Sequence, residues 1–130
     1  MLRTLNLIAA LLLAGHGLVH LAGATVYMKL SAVEGLPYKT TLLGGRVNVG
    51  ERGMFAFGVL WGIAAIGILG TAISWTAGWS GWQVAMVSFT MLSLVLTILD
   101  SSVAKFGVLV NCFILLMLWL GPRITAGLGI

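Results

Sequence analysis

Charge is the scarcest resource in this sequence. Of 130 residues, seven are Lys or Arg and three are Asp or Glu, so 8% are charged, against about 25% in an ordinary soluble domain. Small domains are mostly surface, and ten charged side chains do not cover one. The shortage excludes a soluble globular domain, and it excludes a disordered tail, which is polar by composition. There is a single cysteine, Cys112. An internal disulfide, a Cys-rich metal site and dithiol redox chemistry within the chain are therefore excluded. Lying in an apolar run, Cys112 reads as a small buried residue. Three acids leave little basis for a paired-carboxylate hydrolase. Gly44-Gly45 and Gly50 lack the spacing of a nucleotide-binding loop, and no Ser-His-Asp set is visible. The net charge of +4 does not point to nucleic acid. The seven basic residues flank apolar segments, the usual Lys and Arg excess beside membrane spans.

What is abundant is apolar surface: 60% of the residues are hydrophobic and the mean hydropathy is +1.12. A helix crosses the hydrocarbon core with about 20 apolar residues. Four segments qualify, over about 5–28, 54–75, 82–99 and 103–120. Runs such as LIAALLLAG and VLTIL do not alternate, so they are not barrel strands. The expected architecture is all-α: one four-helix antiparallel transmembrane bundle over residues 1–130. The connections TAGWSGW and Asp100–Ser102 are short, which places helices two, three and four side by side. The loop over 29–53 is long and holds six of the ten charges. Within it TTLLGGRVNV (Thr40 to Val49) carries a Gly-Gly pair between β-prone runs, a hairpin signal. The loop is expected to lie over one mouth of the bundle.

The N-terminus has the outline of a secretory leader, with Arg3, an apolar stretch and Ala22-Gly23-Ala24. Two histidines interrupt the apolar region, which favours a retained span. Lys29, Lys39, Arg46, Arg52 and Lys105 lie on the side of the first and third loops, against Arg3 and Arg123 beside the termini. Positive-inside counting puts the first loop in the cytoplasm. Trp75, Trp79 and Trp82 then form an aromatic belt at the opposite interface.

Ionisable groups inside spans are functional candidates. His16 lies mid-way along the first helix, and His20 follows one turn later on the same face. Gly15, Gly17 and Gly23 flank them and let a helix or ligand approach closely. The functional reading is a polar pocket in which the imidazoles bind a ligand, move a proton or hold a metal. The structural reading is hydrogen bonding to a neighbouring helix. A metal would need a third ligand, and the single nearby acid is Asp100; Glu34 and Glu51 are in the first loop. Two histidines one turn apart cannot take both axial positions of a haem. No metal site is assigned.

Thr90, Ser93 and Thr97 recur at three- and four-residue steps towards Asp100 and Ser101, a continuous polar face. They either bond carbonyls of their own helix or face the histidines across a narrow cavity. Gly107 and Asn111 share a face of the fourth helix. Lys105 can snorkel or pair with Asp100. Gly58 and Gly62 form a small-residue step that seats either another helix of the chain or a second subunit. Trp61 and Trp119 are deep enough to line a cavity, or else are core or lipid-facing bulk.

GHGLVHLAG (15–23), GVLWGIAAIGIL (58–69) and AKFGVLVN (104–111) resemble a family of small bacterial four-span membrane proteins with H-G-x-x-H-L-x-G in the first helix. That family has D-A-K-x-G-x-x-x-N before the last helix. Here Ser101, Ser102 and Val103 separate Asp100 from Ala104-Lys105. More distantly, the first helix is similar to that of DoxX-like proteins, four-span bundles that accompany quinone-using membrane oxidoreductases. The resemblance implies a four-span fold in a bacterial plasma membrane.

The readings converge on a pocket lined by His16, His20, Thr90, Ser93, Thr97 and Asn111. It would take a lipophilic molecule of the quinone or isoprenoid kind, in an accessory subunit of a membrane oxidoreductase or other complex. The alternatives are a small enzyme with His16 or His20 as general acid or base and Asp100 orienting it, and a subunit of an oligomeric transporter. The expected partners are the bilayer, the lipophilic ligand, and further copies or other subunits.

Overall fold

The computed structural model describes residues 2–129. Four helices account for most of them: α1 Leu2–Tyr27, α2 Gly50–Thr76, α3 Trp82–Leu99 and α4 Lys105–Leu128. Each is long and apolar enough to cross a membrane. A two-stranded antiparallel hairpin, β1 Thr41–Leu42 and β2 Val47–Asn48, lies between α1 and α2.

Two helix ends differ from the sequence reading. Helix α2 starts at Gly50, one turn before the apolar run, because Glu51 suits the positive end of a helix. It also pairs with Lys29 at 2.6 Å, and that hydrogen bond raises the Lys29 ammonium above its ordinary value. Helix α4 runs on to Leu128, through Pro122. The proline costs one backbone bond. Beyond it, Arg123 donates to the Trp119 carbonyl at 2.6 Å and Thr125 to those of Gly121 and Pro122.

The helices alternate in direction. Along α1, Gly17 meets Ala65 and Leu69, Gly23 meets Trp61, and Tyr27 meets Gly58, so α2 descends as α1 rises. Ser93 reaches His20 and Asp100 reaches Tyr27, so α3 rises again. Thr97 meets Gly107 while Ser93 meets Asn111, so α4 descends. Glycines set the close approaches. A Cβ on Gly23 would stand 2.6 Å from the Trp61 ring, and one on Gly67 would enter the Phe89 ring. The Gly58–Gly62 step seats α1 of the same chain through Tyr27, Met28 and Ala24. A second subunit would have to use another surface.

The core lies at the loop end. Tyr27, Phe57 and Trp61 pack with centroids 5.6 to 6.1 Å apart, among Ala24, Met54, Ala64 and Leu96. The hairpin closes this end. Leu42 enters the core, and the Leu43 amide donates to the Leu99 carbonyl at 2.8 Å, satisfying a group left open at the end of α3. Leu43, Gly44 and Gly45 have positive φ, and the two glycines take that conformation without strain.

The other end is open. Helix α4 is the least covered of the four helices along its whole length: Asn111 alone is buried among its described residues, and Phe106 and Leu109 towards the loop end and Phe113 further on are all more than 60% exposed. Cys112 is exposed, not buried. Trp119 is likewise exposed, beneath the Arg123 guanidinium, whereas Trp61 belongs to the core.

Candidate functional site

His16 and His20 stand one turn apart on α1, with ring centroids 4.8 Å apart and planes nearly perpendicular. Opposite them is the polar stripe of α3. Ser93 Oγ lies 2.6 Å from His20 Nε2 and 3.4 Å from His16 Nε2. Asn111 of α4 completes the cluster, its Oδ1 lying 3.0 Å from His16 Nε2 and 2.8 Å from Ser93 Oγ. Its Nδ2 lies 3.2 Å from Thr97 Oγ1. Five of the six residues singled out in the sequence thus come from three helices to one hydrogen-bonded cluster, and Thr90 of α3 makes no hydrogen bond to it among the described residues. His20, Thr90, Ser93, Thr97 and Asn111 are fully buried there.

The proton positions follow from donor and acceptor counting. Thr97 Oγ donates to the carbonyls of Ser93 and Leu94, so it accepts from Asn111 Nδ2. That fixes the amide with Oδ1 towards His16 and Ser93. An amide oxygen only accepts, so His16 Nε2 carries a proton. Ser93 has one hydroxyl proton and gives it to Asn111 Oδ1, so the close His20 Nε2 is a donor to Ser93 Oγ. Only this assignment makes every one of these contacts a hydrogen bond. In the neutral form of each histidine this leaves Nδ1 as an acceptor. Among the described residues His20 Nδ1 is buried without a partner, as are Trp61 Nε1 and Thr90 Oγ1. The His20 ring also packs on Trp61, with centroids 4.5 Å apart.

The stripe divides by role. Thr97 bonds its own helix, as span threonines do. Ser93 bonds across helices, and Thr90 does neither. Asp100 stands apart: fully buried at the end of α3, it accepts from the Tyr27 hydroxyl and pairs with Lys39, which also bonds Ser102 at 2.9 Å. Lys39 takes the place expected for Lys105, because the hairpin carries the loop lysine over the carboxylate while Lys105 opens α4 exposed. Among the described residues, no hydrogen bond joins Asp100 to either histidine, and no third His, Cys, Asp or Glu joins the pair as a metal-ligand group.

A cavity of about 910 Å³ opens on the terminal side of this cluster. It lies between α1 and α4, with the start of α3 and the end of α2 as its floor. Leu12, Val19, Ile114 and Met117 are among its apolar walls, and Trp75 and Trp82 stack at 5.0 Å at its outer end. Of the six polar residues, His16 alone reaches it; the other five lie behind. The exposed Leu12 and Val19 on one side and Phe113 and Met117 on the other leave the cavity open between the two helices. Gly15 faces it, and a Cβ there would meet nothing within 4 Å. The sequence reading did not single out Asn6, Gln83 and Thr125 at the outer end. Single polar residues near helix ends carry no pattern, and only their convergence on the cavity distinguishes them.

The chain matches no family model, no curated protein and no solved structure.

Proposed function

We propose that this is an integral membrane protein of a bacterial plasma membrane that binds a lipophilic molecule of the quinone or isoprenoid kind between α1 and α4. His16 is its polar anchor. The observation that carries this reading is the apolar 910 Å³ cavity with one imidazole in its wall. That volume is within the range of small-molecule sites, which are mostly apolar with a few placed polar groups. His16 Nε2–H is held by Asn111, so the ring is fixed and Nδ1 is left to accept from a hydroxyl. The lateral opening suits a ligand that arrives through the bilayer. The likeness of GHGLVHLAG to DoxX-like proteins supports an accessory role beside a membrane oxidoreductase.

Native mass spectrometry of the protein purified from membranes tests this. One retained lipophilic molecule per chain is expected, and His16→Phe and Gly15→Phe should each lose it. Retention by both variants would sink the reading. The same geometry favours one second reading, an enzyme in which His16 acts as general base on a ligand hydroxyl. Turnover of the retained molecule, abolished by His16→Gln with binding preserved, distinguishes it.

A further inference from the structure

The hydrogen bonds behind the cavity run in a fixed sense, from Thr97 to His16. Thr97 Oγ1 gives its proton to the carbonyls of Ser93 and Leu94, so towards Asn111 it can only accept. The Asn111 amide therefore offers Nδ2 to Thr97 at 3.2 Å and turns Oδ1 to His16 Nε2 at 3.0 Å and Ser93 Oγ at 2.8 Å. Thr97 and Asn111 are fully buried, where a reversed amide has no water to replace the bonds it loses. In its neutral form His16 then carries its proton on Nε2 and keeps Nδ1 bare. Among the described residues His16 hydrogen-bonds through Nε2 alone, and of the cluster it is the residue that lines the cavity.

We infer that the site selects the hydroxyl form of its ligand. It takes a hydroquinone or an isoprenoid alcohol in preference to the quinone or ether of the same skeleton. Asn111 and Thr97 are the positioning residues that set this choice without touching the ligand. The inference rests on the pocket reading above and adds the hydrogen-bonding form of the molecule bound. A hydroxyl donates to the bare nitrogen, whereas a carbonyl or ether oxygen meets it lone pair to lone pair. No other donor of the cavity wall lies close by to take the mismatched oxygen. Asn6, Gln83 and Thr125 are at the outer end, and Asn6 stands ten residues before His16 on one helix, about 15 Å of rise. A site built to bond a hydroxyl rejects the analogue that lacks one, because the polar group of the site is left unpaired.

Two pairs of probes differ in that proton: decylubiquinol and decylubiquinone, and farnesol and farnesyl methyl ether. Each pair is offered in equal amounts, under argon, to the protein in phosphatidylcholine nanodiscs. The molecules retained beyond those in empty discs are extracted and separated by chromatography. The hydroxyl member should be enriched about tenfold, and the pair retained in the larger amount tells a hydroquinone site from an alcohol site. Asn111→Leu strands the Nε2 proton and so opens the Nδ1–H tautomer; the enrichment should largely disappear. Thr97→Val frees the amide to turn and should lower the enrichment as well, which carries the test if Asn111→Leu does not fold. Nitrogen NMR of histidine-labelled protein, with His16→Phe to identify the signal, should show His16 protonated on Nε2 and bare on Nδ1. A bare Nε2, or protons on both nitrogens at neutral pH, overturns the inference. So does enrichment that persists in both variants. Equal retention within each pair, still lowered by Gly15→Phe, overturns it while the pocket stands. If neither pair is retained, or Gly15→Phe lowers neither, the pocket reading fails and the inference with it.

Discussion

Asn111 ties α4 to the rest of the molecule from the most buried position of that helix. Its amide accepts from His16 and Ser93 and donates to Thr97. Asn111→Leu keeps the volume but strands the buried Ser93 hydroxyl and the half-buried His16 N–H. A stranded donor costs about 1–3 kcal/mol, so thermal unfolding in detergent should show a loss of that order. At Asp100 the two sides of one ion pair are unequal. The carboxylate is fully buried, while the Lys39 side chain is 20% exposed. Lys39→Met leaves a buried charge with Tyr27 alone, for which about 3–5 kcal/mol is the usual cost. Asp100→Asn leaves a lysine that can turn to water. Chemical unfolding should therefore rank Lys39→Met as the more damaging change; the reverse order would remove Lys39 from its role in holding the loop.

At the scale of the helix, glycines that look equivalent in the sequence have opposite surroundings. Gly23 and Gly67 lie against aromatic rings that a Cβ would strike. Alanine at either should cost about 1–3 kcal/mol by overpacking. Gly15 faces open space, so Gly15→Ala gains helix propensity, up to about 1 kcal/mol, and should raise the melting temperature followed by far-UV circular dichroism. A fall at Gly15 as large as that at Gly23 would mean the first helix packs tightly along its whole length. The hairpin is the element where local signal and tertiary need coincide. Gly44 and Gly45 permit the turn, and docking on Leu99 gives it a fixed place.

The whole molecule is asymmetric along its axis. Aromatic packing, the hairpin and the Lys39–Asp100–Tyr27 cluster close one end, while α1 and α4 part at the other around the cavity. Local opening follows contact density. Amide exchange measured by mass spectrometry should therefore be slow around Tyr27, Phe57 and Leu96. It should be faster over the first ten residues of α1 and the stretch of α4 after Phe113. Ligand should slow the second set and leave the first unchanged.

The sequence by itself determined that four apolar helices exist, that a loop rich in charge joins the first two, and that two histidines share a face with a Ser/Thr stripe available to meet them. These are consequences of composition and of helical period, which act locally. It did not reveal that Lys39 rather than Lys105 reaches Asp100. Nor did it reveal that His16 alone of the polar cluster meets the cavity, or that Asn6 borders its outer end. Those depend on how far α1 and α4 separate and where the hairpin folds back. No spacing along one chain segment encodes a distance between helices. Only packing against Trp61, Phe89 and Leu99 sets it, and so the tertiary structure decided which of the polar residues a ligand can touch.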